Sequence, residues 1–331
     1  MADANKRILL YTLNMDSSLI ISFYEFASGW LSIAVLLVGL GLGFAPSAHA
    51  QQVAITIDDL PNHAPMPAGV TRVDVAKKML AALADAKLTG VYGFINAGKL
   101  EAHPEELEVL KLWREASQPL GNHTYTHINF SDNTVPAFEE NIEKNEPMLK
   151  QLMGGQNWHW FRYPYLHEGD TLEKRHAARA YLAGHGYRVA EVTMDFEDYL
   201  WNGPYARCMD KKDEKSIAWL KESYLKTARE YLTLDQEMSR QIFGRNINHV
   251  LLMHIGAFDA VMLPDLLAQM KKDGFKFISL EEAESDPAYL SDPDVGLVDG
   301  GTLLDQFFDS KKLKYPPHAE KPRQELAAIC K

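Results

Sequence analysis

An α/β fold built on a largely parallel sheet is what this sequence predicts, from two observations. Short β-branched or aromatic runs alternate with segments whose apolar residues recur at helical spacing. Asp58, Asp59, His123, Arg162, Asp195 and His254 each follow the end of such a run, which is where α/β barrel enzymes carry their chemistry. Val53-Ala54-Ile55-Thr56-Ile57 reads as a first strand that delivers Asp58-Asp59 at its C-terminal end. Val73 to Ala86 has helical spacing, with Val75, Met79, Leu80 and Leu83 on one side. Val91 to Ile95 is a second strand, Glu105 to Ala116 a helix after Pro104, and Pro119 to Asn122 a short strand. Pro136 to Met153 is helical, Trp160 to Tyr163 a strand, and Thr171 to His185 a helix closed by Gly186. Tyr187 to Thr193, His249 to Met253 and Phe275 to Ser279 complete the strands. Asp210 to Arg245 breaks the rhythm. It is charged and helical, with Ile217, Leu220, Tyr224, Leu225, Ala228 and Leu232 forming a core-facing stripe, and it reads as a helical insertion over the barrel. From Asp286 onward the chain is rich in Asp, Pro and Gly and is expected to wrap the surface as a tail.

The bulk numbers are those of a globular protein: 331 residues, 46% hydrophobic and 24% charged. A net charge of -11, with no basic block, argues against a nucleic-acid partner, since nothing offsets phosphate repulsion. The first fifty residues differ from the rest. Leu31 to Phe44 is apolar and is followed by Ala48-His49-Ala50, an A-x-A cleavage signature. Residues 1–50 are therefore expected to be an export signal, with the working domain starting near Gln51 in the periplasm or outside the cell. The alternatives are an uncleaved N-terminal anchor, which would be the sole membrane contact, and a buried apolar helix. Lys6 and Arg7 lie far from the apolar stretch, and Met15 offers a second start. Cys208 and Cys330 are the only cysteines. Export would permit a disulfide between them, although spacing does not show that they meet. Two cysteines cannot build a thiolate-rich zinc site, so any metal must use His and carboxylate.

Gly121-Asn122-His123-Thr124-Tyr125-Thr126-His127 sets two histidines four apart, which converge on one point if the segment is helical or tightly turned. With one carboxylate, such as either member of the Asp58-Asp59 pair, they make three N/O ligands for a divalent metal with open positions for water and substrate. That arrangement points to hydrolysis.

Five segments in order carry a family resemblance. Thr56-Ile57-Asp58-Asp59 is similar to a T-F-D-D motif with Ile for Phe, His123 to His127 to H-[ST]-x-x-H, and Arg162-Tyr163-Pro164-Tyr165 to R-x-P-[FY]. Asp195 to Tyr199 is similar to D-x-x-D-W with Tyr for Trp, and Leu252-Met253-His254 to L-x-H. Between Val53 and Glu284 the chain thus resembles the polysaccharide deacetylases of the NodB-homology group, carbohydrate esterase family 4. The resemblance implies a distorted (β/α) barrel of about seven strands and a metal-dependent hydrolase acting on N- or O-acetyl groups of a carbohydrate. It also implies roles. Asp59, His123 and His127 would hold the metal, with zinc first and cobalt, nickel or iron able to replace it. Asp58 would be the general base, kept ionised by Arg162. The backbone N–H of Tyr165 would face the oxyanion, Leu252 would line the acetyl pocket, and His254, paired with Asp198, would protonate the leaving group. Tyr199, in place of Trp, would change the shape or polarity of that pocket. His167, Glu168, Trp158, Trp160 and Trp201 read as packing or loop residues before they read as substrate contacts. Two rival functions remain: an amide or imide hydrolase acting on a small non-sugar substrate on the same scaffold, and a catalytically inactive carbohydrate-binding relative.

Overall fold

A computed structural model describes residues 51–331, so the expected export signal, or anchor, at 1–50 lies outside the described residues. In chain order the elements are β1 (Gln51–Leu60), α1 (Arg72–Asp85), β2 (Tyr92–Ile95), α2 (Leu107–Glu115), β3 (Leu120–Asn122), α3 (Val135–Met153), β4 (Trp160–Phe161) and α4 (Leu172–Gly184). There follow β5 (Arg188–Val189), α5 (Asn202–Asp210), α6 (Glu214–Phe243), β6 (His249–His254), α7 (Ala257–Lys272), β7 (Phe275–Phe277), α8 (Leu280–Ala283), α9 (Leu303–Lys311) and α10 (Arg323–Ala328). All strand pairs are parallel, in the order β5-β4-β3-β2-β1-β6, with β7 on the N-terminal end of β1. The sheet curls until Met194, beyond β5, forms a parallel bridge to Leu251 of β6. This curled, parallel, seven-stranded half-barrel agrees with the distorted (β/α) barrel of about seven strands that the family resemblance implies. β1 lies at its centre and is buried from Val53 to Leu60, as expected for a strand covered on both faces.

Helix ends follow local chemistry. Thr71 caps α1 in a reciprocal capping box with Asp74, Thr171 caps α4, and Asp213 caps α6 through the Ser216 N–H. The expected helix from Glu105 starts later: Pro104–Glu106 form a tight 3₁₀ turn, and α2 follows. β4 and β5 are shorter than expected. After Phe161 the chain turns through Pro164, which has no N–H for a ladder, and Tyr165, whose φ is 59°. After Val189 it leaves β4 and crosses toward β6.

The helical insertion is the 30-residue α6, whose Ile217, Leu220, Tyr224, Ala228 and Leu232 are buried. The C-terminal segment is more structured than a surface wrap. Leu303, Leu304, Phe307 and Phe308 of α9 are buried. Buried Arg175 on α4 donates to Asp292 (2.7 Å) and to Gln306 (3.0 Å), and Gln306 donates in turn to Glu168 (2.6 Å). Cys208 on α5 is disulfide-bonded to Cys330. Among the described residues no helix is long and apolar enough to cross a membrane.

His249, on β6, is fully buried, with Nδ1 3.2 Å from Thr193 Oγ1 and no partner for Nε2. Burial, aided by Arg240 and opposed by Asp286, pushes it down to about 3. Between that value and the ordinary one of about 6.5 the unfolded chain takes up the proton and the folded chain does not. This contribution is therefore intact above the unfolded value and is lost as the pH falls, at up to about 1.4 kcal/mol per unit. Thermal melts from pH 7 to pH 4 on wild type and His249→Gln check this. The variant is expected to show a shallower acid slope, and parallel slopes would refute the expectation.

Candidate active site

The register of the central strands builds the site. Asp58 on β1 is paired directly with His254 on β6, so two neighbouring strand ends carry a carboxylate and an imidazole side by side. β3 contributes the histidine pair. Gly121 lets β3 approach closely, because a Cβ there would lie 2.6 Å from the Phe94 ring and 2.8 Å from the Trp160 carbonyl. The segment after Asn122 is a tight turn rather than a helix, with Thr124 at φ 62° and His127 at φ 57°. Buried amides hold it. Asn96 Nδ2 donates to the His123 and Thr124 carbonyls (2.5 and 3.0 Å), and Asn122 Oδ1 accepts from the Thr124 N–H (2.9 Å) and from Asn145 (2.9 Å). Asp59, Tyr165 and Glu197 also have left-handed backbones, at φ 71°, 59° and 58°. Non-glycine residues in this region store strain, which clusters at functional sites.

The turn brings His123 Nε2 to 3.8 Å and His127 Nε2 to 3.4 Å from Asp59 Oδ1, and all three ligand atoms lie within 4.8 Å of one another. Bonds of about 2.0–2.1 Å at tetrahedral angles hold donors about 3.3 Å apart, so little movement is needed to grip a cation. His123 Nδ1 is 2.8 Å from the Arg162 carbonyl. An N–H donated there leaves the Nε2 lone pair facing Asp59, the orientation that ligating histidines require. Burial holds both imidazoles neutral, His123 far below its usual range and His127 at about 4. Asp59 stays ionised: burial raises it, but Lys99, His63 and His127 outweigh that and hold it well below the carboxylate range. Two neutral imidazoles and a carboxylate form a donor set that fits a divalent metal. A second group that meets the same distance criterion, His103, Glu105 and Glu106, is exposed in its first two members.

Asp58 is 2% exposed and lies 3.2–3.3 Å from Nη1 of Arg162, which is itself buried. Arg162 is fixed by the Ala190 carbonyl (2.7 Å) and Thr56 Oγ1 (3.1 Å). Burial lifts Asp58 to about 6, against the pull of Arg162 and His254. His254 Nδ1 is 2.7 Å from Asp198 Oδ1, and the same carboxylate accepts the His254 backbone N–H at 2.7 Å. Burial works against its charge, but Asp198, with help from Asp59 and Asp58, takes it up to about 10. Tyr199, which stands where the family motif has Trp, sets its ring 5.2 Å from that of His254, near edge-on. The ring of Tyr165 lies 4.4 Å from that of His127. Asp58, Asp59, His123, His127, Tyr165, Leu252 and His254 line a single cavity of about 470 Å³. Arg162 and Asp198 sit behind it, each holding a lining residue.

Five side chains at the site have no counterpart in the sequence reading. His63 Nδ1 is 2.6 Å from Asp59 Oδ2, and its ring lies 4.7 Å from that of His254. Its four-residue spacing from Asp59 was the available signal. Lys99 Nζ donates to Asp59 Oδ1 (3.3 Å) and to the Asp59 and Asn62 carbonyls (3.1 and 2.9 Å), a contact that nothing in the sequence marks. Asp235 of α6, and His318 and Lys321 of the C-terminal segment, line the far wall. Glu168, by contrast, is buried in ion pairs with Arg175 and Arg179, and Trp158, Trp160 and Trp201 are core residues.

A parallel sheet curled around a cavity that holds an Asp-His-His cluster beside a paired carboxylate and imidazole has the groups that metal-assisted hydrolysis needs. The polysaccharide deacetylase family model matches residues 45–190. The match covers β1 to β5; Asp198, Asp235 and His254 lie beyond it. A chitin deacetylase of Arthroderma benhamiae is 24% identical over 147 residues, 44% of this chain and 35% of the relative. The chain thus spans about a third of the length of the curated relative it matches. Among solved structures, a chitin deacetylase from the fungal pathogen Colletotrichum lindemuthianum is 18% identical with a TM-score of 0.47, covering 70% of this chain and 86% of that one. A wild-type CE4 family pseudoenzyme from Bacillus anthracis is 16% identical with a TM-score of 0.48, covering 71% and 66%. At TM-scores under 0.5, neither likeness bears on the chemistry.

Proposed function

We propose that this protein is a metal-dependent hydrolase that removes N- or O-linked acetyl groups from a carbohydrate. The observation that carries this reading is the convergence on one cavity of the Asp59-His123-His127 cluster, the Arg162-held Asp58 and the Asp198-held His254. Asp59, His123 and His127 would hold a divalent cation, with zinc the best match to the donor set and cobalt or nickel able to substitute. When bound, such a cation supplies Lewis-acid polarisation and a more acidic water. Asp58 receives the proton of the attacking water, and Arg162 keeps its carboxylate oriented for this. The Tyr165 N–H, aimed by the turn at Pro164, donates to the developing oxyanion. His254 donates its Nε2 proton to the departing amine or hydroxyl, while Asp198 holds Nδ1. Leu252 and Tyr199 shape the acetyl site, one apolar and one carrying a hydroxyl. Export to an oxidising compartment fits the Cys208–Cys330 disulfide.

Acetate release from acetylated chitooligosaccharide and peptidoglycan fragments tests the reading, run beside small cyclic amides and after chelation. Acetate release from a glycan, abolished by chelation and restored by zinc, is the expected result. Full activity after complete removal of divalent ions would refute it. Turnover of the amides alone would move the protein to the imide-hydrolase reading, and zinc binding without turnover of any substrate to the carbohydrate-binding one.

A further inference from the structure

We propose that the far wall of the pocket is a subsite for an ammonium group, that of a free amino-sugar unit next to the unit being deacetylated, received by Asp235 together with Asp195. The proposal rests on the deacetylase reading for the identity of its ligand.

Asp235 stands on α6 between Leu234 and Met238, which line the cavity with it. It is 5% exposed, and its Oδ2 has no hydrogen-bond partner. An unpaired buried carboxylate oxygen is costly, so one that faces a cavity marks a place where a ligand supplies the donor. Asp305 and Asp195 act on it as like charges, and Lys321 with the Asp195 N–H offsets them only in part. Four carboxylates, Asp195, Glu197, Asp235 and Asp305, line that end of the pocket, with Lys321 among them. Lys321 is already committed to Glu197 at 3.2 Å, and Arg323 also pairs with Glu197. Asp305 is taken up by the Thr302 hydroxyl and N–H (2.7 and 2.9 Å) and by the Tyr315 hydroxyl (3.0 Å). Asp195 accepts one bond, from the Glu197 N–H at 2.7 Å. Asp195 and Asp235 are therefore the carboxyl groups here without a committed cation. Burial, with the nearby carboxylates, raises Asp235 well above the carboxylate range and Asp195 to about 6, and a bound ammonium would draw both to the ionised form.

A compact metal ion does not fit there. Among the described residues, neither carboxylate belongs to a group of three ligands close enough to share one. An ammonium, with three donors on a sugar ring, suits carboxylates that are farther apart. The same cavity holds Asp58 and His254, where the proposed reaction releases an amine of this kind. A sugar bearing a carboxylate would be repelled from this wall.

The test is calorimetric titration of the zinc-loaded full chain with two disaccharides, one of glucosamine with protonated amines and its diacetylated counterpart. Asp235→Asn is expected to weaken the glucosamine disaccharide by about tenfold or more and the diacetylated one by less than about twofold, as loss of one charged hydrogen bond predicts. Asp235→Glu, which restores the charge, is expected to recover the preference. The melting temperature of Asp235→Asn should not fall, since burial already disfavours a carboxylate there and the amide carries no charge. The proposal is overturned by equal weakening of both sugars, by unchanged binding of both, or by no binding of the glucosamine disaccharide to wild type. If no acetylated sugar releases acetate yet the Asp235 difference persists, the deacetylase reading fails and the subsite stands. If acetate is released and the difference is absent, the subsite alone fails.

Discussion

Asp58→Asn is expected to lower acetate release by about 10²–10⁴-fold, the usual contribution of a positioned general base. The amide keeps the shape of the carboxylate but cannot take the proton of the attacking water. The bound metal should stay, because Asp59, His123 and His127 are untouched, so metal content measured by elemental analysis should equal that of wild type. Some stability will be lost. Arg162 is 1% exposed and Asp58 is its carboxylate partner, and removing one member of a buried pair leaves the other charge uncompensated. Activity is therefore compared well below the melting transition. A variant with full metal content and a rate within about threefold of wild type would be incompatible with any acid–base role for Asp58.

The second large effect is structural. The Cys208–Cys330 disulfide spans 122 residues, and a closed loop of that length restricts the unfolded chain by about 5 kcal/mol in the chain-entropy model. The double variant Cys208→Ser, Cys330→Ser is expected to melt about 8 °C lower, and wild type in excess reductant should match it. The Arg207 guanidinium still donates to the Leu326 and Ile329 carbonyls (2.9 and 3.1 Å), so α10 keeps some hold on α5. The segment just before α10 carries His318 and Lys321 into the cavity, so the variant should also bind sugar more weakly. Calorimetric melting with and without reductant checks the stability effect; identical transitions would show that the bridge carries little of it.

The parts of this architecture that were legible in the sequence are those whose cause is local. The apolar run at Val53 to Ile57 and the apolar stripes of the helices at Val73 to Ala86 and Asp210 to Arg245 act within a few residues, where strand and helix period decide the outcome. The short strands at Trp160 and Arg188 were overestimated because an apolar run records burial, not ladder pairing, and the turn at Pro164-Tyr165 ends the ladder inside the run. The pairing of His63 with Asp59 was within reach of the same local logic, four residues apart. Lys99 was not, because its contact with Asp59 depends on how the segment after β2 packs against the end of β1.

By itself, then, the sequence determined the alternation of strands and helices, the residue types capable of metal and acid–base chemistry, and their position at strand ends, all consequences of short-range periodicity. Tertiary structure alone decided which of those residues meet. The parallel register sets Asp58 beside His254, Arg162 reaches Asp58 across 104 residues, and the disulfide and the Arg175 network tie the C-terminal segment to α5 and α4. Such contacts follow from packing the whole chain around one core, and no local window of sequence encodes them.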